Sequence, residues 1–112
     1  MQKIIIIGNV GSGAIVRTTE RGMFLSFSLA VNEKWTNANG ERKEETTWYN
    51  CTYNVKTDTL AKYLTTGSKV YVEGKLKPKI YVTQKNETAV EMSVYVNDLQ
   101  LVSVKENAQT SE

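Results

Sequence analysis

The sequence predicts an all-β domain, either a sandwich or a barrel. Three observations predict it. Turn signals recur at short intervals: Gly8-Asn9, Gly11-Ser12-Gly13, Arg21-Gly22, Asn39-Gly40, Gly67-Ser68 and Lys85-Asn86. The stretches between them are rich in β-branched and aromatic residues, and Pro78 is the one proline. Residues 23–32 alternate strictly between apolar and mostly small or polar side chains, the period of a strand with one buried face. A chain of 112 residues has room for a single core.

Strands are expected at 3–10, 14–18, 22–33, 46–54, 68–77, 79–83 and 88–102, with Pro78 dividing the fifth from the sixth. Segment 57–64 is the exception. Thr57 or Asp58 can cap a short helix, Leu60 and Leu64 share a face, and Gly67 follows as a stop. From Lys105 to Glu112 the chain is small and polar, and a frayed end is expected there. The organisation is one domain over 1–104 and a short tail over 105–112.

Two strands declare their faces. In 23–32 the odd positions are Met23, Leu25, Phe27, Leu29 and Val31; in 48–54 they are Tyr49, Cys51 and Tyr53. If both sets point inward, Trp48 stands outside beside Asn50, Thr52 and Asn54. Hairpin register decides the matter. A two-residue turn at Asn39-Gly40 would set Trp48 opposite Val31, on the inner face. An odd-length loop or a bulge sets it opposite Asn32, on the outer face, and buries more apolar surface. The second register is the expected one.

Composition excludes several functions. Lys plus Arg number 14 and Asp plus Glu 12, a net charge of +2, so an anionic partner must be held by a local patch. No histidine is present, which removes the commonest general base and zinc ligand. Cys51 is the single cysteine, so there is no internal disulfide and no cysteine-rich metal site. No apolar run is long enough to span a bilayer, and the first residues lack a signal-peptide cleavage site. Gly8 to Gly13 is glycine-rich but lacks the Gly-Lys-Ser/Thr end of a phosphate loop. A non-enzymatic, cytoplasmic protein without cofactor or metal is the expectation.

Three features point to a ligand. Trp35 is flanked by Lys34, Thr36 and Asn37, and Trp48 shares its face with polar residues, so neither fits the core packing that suits Phe27, Tyr49 and Tyr53. Exposed rings of this kind suit stacking bases. Lys69, Lys75, Lys77, Lys79 and Lys85, interrupted only by Glu73, give a local charge of +4. Taken alone, they read as lysines guarding an edge strand. Lys75, Lys77, Lys79 and Tyr81 share parity, however, and cations leading to a ring match the needs of a single nucleic-acid strand. Finally, Ile4-Ile5-Ile6-Ile7 needs cover on both faces. The core covers one, and a second subunit is the expected cover for the other, with the C-terminal strand as the alternative.

Lys3-Ile4-Ile5-Ile6-Ile7-Gly8-Asn9-Val10, Arg17, Ser28-Leu29-Ala30-Val31, Trp35, Thr47-Trp48, Leu60-Ala61-Lys62-Tyr63-Leu64, Gly67-Ser68-Lys69-Val70-Tyr71-Val72-Glu73-Gly74 and Leu76 occur in that order. Over residues 3–102 this set resembles the bacterial single-stranded DNA-binding proteins. The resemblance implies an OB-fold, a five-stranded Greek-key barrel with one short helix between strands 3 and 4. It implies a homotetramer that wraps single-stranded DNA independently of sequence in replication, recombination or repair, and a nucleoid-associated location. It places base-stacking rings at Trp35, Trp48 and Tyr81 and phosphate contacts at Lys3, Arg17, Lys56, Lys77 and Lys79. It also puts Tyr49 at a subunit interface, which would join the subunit contact expected of Ile4, Ile5, Ile6 and Ile7.

The sequence departs from the family at several points. Asn54 stands where a stacking Phe is usual, Asn50 replaces a frequent Arg, and Gly13-Ala14 replaces Asp-Pro. The family's long linker and acidic, apolar-ended tail are missing, so recruitment of tail-reading enzymes is not expected. A truncated chain and a tailless plasmid, mobile-element or primosome-type relative both remain open. The rival function is a primosome-type OB barrel acting chiefly as a protein-interaction module, which would not need Trp35, Trp48 and Tyr81 beside basic residues. An oligosaccharide binder or nuclease would need a carboxylate cluster or ring slot that the sequence lacks.

Overall fold

The computed structural model describes residues 1–104, so the expected fraying from Lys105 onward lies outside the described residues. Six strands form: β1 (Ile4–Val10), β2 (Ile15–Thr19), β3 (Gly22–Thr36), β4 (Arg42–Val55), β5 (Lys69–Val82) and β6 (Thr88–Ser103). They make one sheet in the order β1-β5-β6-β4-β3-β2, and β1 also pairs with β3. That last pairing, Asn9 with Ala30 and Val10 with Leu29, closes β1, β5, β6, β4 and β3 into a ring. A 3-10 helix, Thr59–Tyr63, connects the third and fourth strands of the ring. This is the expected OB-fold barrel, with β2 added outside β3. No helix among the described residues is long and apolar enough to cross a membrane.

The alternation read from the sequence fills the barrel. Leu25, Phe27 and Leu29 of β3 and Cys51 of β4 are buried, and meet Ile6, Val10, Val70, Val72, Val94 and Val96 from the other ring strands. Leu64, just after the helix, closes one end of this core, with Leu60 packed against it. Each such Leu or Val, taken wholly out of water, contributes on the order of 1.5–3 kcal/mol. Tyr49 and Tyr53 are half-buried and lie against the core.

Two expectations need correction. Pro78 does not divide two strands: β5 runs through it, opposite Met92. Beyond Gly74, β1 no longer pairs with β5, so Pro78 has a strand on one side only and its missing N–H costs no ladder bond there. The second concerns the hairpin. Trp48 lies opposite Ala30, not Asn32, and pairing continues to Thr36 and Arg42. The Asn37 carbonyl accepts from Gly40 N–H (3.0 Å), and Asn37 N–H donates to the Glu41 carbonyl (2.9 Å). Gly40 has φ +80, the left-handed residue that ends a three-residue hairpin loop. The loop is odd in length, as expected, but centred one residue earlier in the chain, on Asn39, so that each strand residue's partner moves by two. Parity is therefore kept, and Trp48 stays outside.

The second hairpin uses the same turn. The Thr83 carbonyl accepts from Asn86 N–H, Thr83 N–H donates to the Glu87 carbonyl, and Asn86 has φ 65. The barrel therefore carries two similar arms, one from β3 and β4 and the other from β5 and β6.

Cys51 is 1% exposed, and burial pushes its thiol up to about 12. At pH 8 the thiolate fraction is then about one in 10⁴, and only the thiolate is nucleophilic. A disulfide reagent should leave the native protein unmodified and titrate one thiol per chain in denaturant. Rapid labelling of native protein would mean that the barrel opens at β4.

Candidate nucleic-acid interface

The outer face of the sheet is laid out by register. Ser26 of β3 lies opposite Thr52 of β4, which pairs with Tyr95 of β6, which pairs with Lys75 of β5. The next row is Ser28, Asn50, Ser93 and Lys77. One step further, Ala30 pairs with Trp48 on one side of the sheet and Glu91 with Lys79 on the other. Small polar side chains thus form a floor, with a ring at one edge and lysines at the other. The floor lies in an open groove of about 390 Å³ that reaches Ser12 and Gly13 on one side and Lys79 and Tyr95 on the other.

Trp48 is 55% exposed, yet its position is built. The turn after β1 runs beneath it, where Gly11 N–H donates to the Ser28 carbonyl and Ser12 N–H to Ser28 Oγ, both at 2.9 Å. A Cβ on Gly11 would collide with the indole. One ring face therefore rests on bare backbone, and the exposed remainder of the ring is open to a flat ligand.

Across the floor, Tyr95 is 40% exposed and meets two cations. Lys77 Nζ lies 5.7 Å from its ring centre, and Lys79 Nζ donates to its hydroxyl over 3.4 Å. The sequence reading missed Tyr95. The signal was present, because the apolar Val94 and Val96 on either side give it the outward parity. Tyr81, 49% exposed, continues the row of Lys75, Lys77 and Lys79 along the arm, opposite Ala89.

Other expected residues lie elsewhere. Trp35, 48% exposed, pairs with Lys43 on the first arm. Its odd spacing from Ala30 puts it on the opposite face of the β3–β4 ribbon from Trp48, in a shallow groove with Lys34, Arg42 and Glu44. Arg17 of β2 lies opposite Phe24, which lies opposite Asn54, so all three prolong the outer face away from the lysines. Phe24, half-buried, is a ring beside the position where Asn54 offers none. Lys56 is exposed just beyond β4.

Lys3 is engaged within the chain, with Nζ 3.0 Å from Glu73 Oε1, and Glu73 Oε2 accepts from the Tyr71 hydroxyl at 2.8 Å. The Lys3 ammonium and the Tyr71 hydroxyl hold the Glu73 carboxyl below its usual range. Of the four isoleucines, Ile5 and Ile7 are more than half exposed, Ile4 is half-buried, and Ile6 belongs to the core. Only alternate members can therefore offer a surface.

A barrel whose sheet carries a polar groove rimmed by a tryptophan and by lysines around a tyrosine is an oligonucleotide-binding fold in architecture. The family model described as "Single-strand binding protein family" matches residues 1–102, and the chain belongs to that family. It is 30% identical over 104 residues to a single-stranded DNA-binding protein of Neisseria meningitidis (strain Z2491), covering 91% of this chain and 60% of the relative. It is 32% identical to the Rickettsia prowazekii single-stranded DNA-binding protein, covering 100% of this chain and 79% of that one. The chain thus spans about 60% of the length of the Neisseria relative. Among solved structures, the Plasmodium falciparum SSB in complex with ssDNA superposes with a TM-score of 0.75 at 29% identity, over 92% of this chain and 96% of that one. A small single-stranded DNA-binding protein from Streptomyces coelicolor shares the fold, with a TM-score of 0.76 at 19% identity, over 90% and 94% of the two chains.

If Gly11 makes the room for Trp48, Gly11→Ala should displace the indole. In a Trp35→Phe background, which isolates Trp48, tryptophan emission should change in wavelength and acrylamide quenching should rise. Unaltered emission would show that the ring does not rest on this turn.

Proposed function

We propose that this chain binds single-stranded DNA with little regard to sequence, stacking bases on Trp48 and drawing phosphates along Lys77 and Lys79. The observation that supports it is the combination across one sheet face: an exposed indole, a small polar floor and a paired-lysine rim around Tyr95. Exposed rings accept any base by its π-face, and lysines gain by releasing counterions from phosphates. The Plasmodium structure, a family relative bound to ssDNA, supports the same ligand. Tyr81, Trp35, Arg17 and Lys56 extend the path around the barrel. Lys3, tied to Glu73, contributes less. Such a protein protects exposed strands in replication, recombination and repair, in the nucleoid-bearing cytoplasm, and needs no catalytic group for the task.

Assembly follows from β1. Ile5 lies opposite Glu73, and Ile7 opposite Tyr71, so an apolar strip runs beside the Lys3–Glu73–Tyr71 network. We read this face as a contact with another copy, with Tyr49 close to the joint, in a homotetramer. Light scattering at micromolar concentration should report four chains, and Ile5→Lys with Ile7→Lys should lower the mass. A monomeric mass for the unaltered protein would refute the reading.

Single-stranded DNA should quench tryptophan emission, while duplex of equal length competes poorly because its bases are stacked away. Trp48→Ala should cost about 1–3 kcal/mol with little change in salt dependence. Lys77→Ala and Lys79→Ala should each reduce the slope of log affinity against log salt by roughly 0.7, and Lys3→Ala by less. Equal affinity for duplex and single strand would overturn the function, and unaltered slopes would overturn the path.

A further inference from the structure

One group in the groove does not serve phosphate binding. Glu91 of β6 stands beside Lys79, half-buried, on the face that would receive the strand. Asn50 Nδ2 donates to its Oε1 at 3.0 Å, and Ser93 Oγ donates to its Oε2 at 3.1 Å. Both donors come from the polar floor, one on each of two adjacent strands. The carboxylate is therefore fixed in direction, with one donor on each oxygen and further lone pairs unfilled. It also lines the groove with Asn50, Ser93, Lys79 and Tyr95. A fixed negative charge there repels phosphates. It does suit the donor edge of a base.

We propose that Glu91 is a base-reading residue: its carboxylate accepts from the exocyclic amino group of a base lodged beside Trp48. This rests on the single-stranded DNA reading above and adds a bias to it. Asn50 and Ser93 are a pair on adjacent parallel strands, and Trp48 and Glu91 each lie two residues before that pair, on the same face of the sheet. A base stacked on the indole can thus turn its edge toward the carboxylate. Carboxylates accept from the amino group of cytosine. Thymine presents O4 at the same position, an acceptor facing an acceptor, and is disfavoured there. The outcome is a preference for amino-bearing bases at one subsite, superimposed on ring stacking that tolerates any base.

The test compares oligodeoxycytidine and oligodeoxythymidine of about 16 nucleotides, the upper site size for one OB barrel, at pH 8 and fixed salt. Their affinity ratio should fall by about fivefold toward thymine in Glu91→Gln, the low end for one base contact. The shape of the side chain is kept in that variant while its charge and one acceptor are lost. A strand of N4,N4-dimethylated deoxycytidine, which has no amino hydrogens, should show weakened binding to the wild type and no comparable loss in Glu91→Gln. If Glu91→Gln instead tightens both homopolymers equally, the carboxylate is only an electrostatic brake and the proposal fails. If neither homopolymer binds the wild type, the function itself fails. Retained thymidine binding by the variant shows that its barrel is intact.

Discussion

The pairing of β3 with β4 is the constraint on which the rest depends. Successive side chains in a strand point to opposite faces, so a slip of one residue would exchange the core face for the outer face. The loop from Asn37 to Glu41 prevents that slip. Its carbonyl and amide bonds close the hairpin with Gly40 in the left-handed conformation, and the Asn37 side chain accepts from the Asn39 and Glu41 amides at 2.9 Å. Leu25, Phe27, Leu29 and Cys51 are thereby sent inward and Trp48 outward. A turn about 20 Å from the groove, six residues of strand rise away, thus determines what the groove presents.

Much of this could be read from the chain. The alternation in 23–32 identified the buried face, because one side of a barrel strand is dry and the other wet. The outward position of Trp48 followed from the polar company of Asn50, Thr52 and Asn54. What could not be read was the exact partner of Trp48, since the sequence does not distinguish loops centred one residue apart along the chain. The continuity of β5 through Pro78 was hidden for a similar reason. A proline is tolerated where a strand has one neighbour, and the neighbour count is a property of the closed sheet. Trp35 shows the limit of parity read without register: it is exposed as expected, but on the other side of its ribbon.

In the proposed function the groove combines two physically different kinds of attraction. Trp48 offers a surface whose worth depends on contact and therefore on Gly11 leaving space below it. Lys77 and Lys79 act over a longer range, and Tyr95 keeps both heads over the sheet instead of free in solvent. Lys3 makes a contrast, because Glu73 already satisfies its charge on the β1 side of the barrel. The +2 of the whole chain thus understates how unevenly charge is distributed: a carboxylate quiets one flank while lysines gather on another.

The two arms rise from the barrel as plain two-stranded ribbons that end in the same kind of turn. Their length can change without disturbing the core, since no core residue lies beyond Val31 on β3. Lengthening is quantised, however. Adding one residue to each strand of the first arm, on β3 between Val31 and Trp35, would leave every barrel residue in place but carry Trp35 to the same side as Trp48. Adding two to each would return it to its present side, further out. Arm length is thus a dial by which related chains can place an aromatic on either side of the ribbon while inheriting one unchanged barrel.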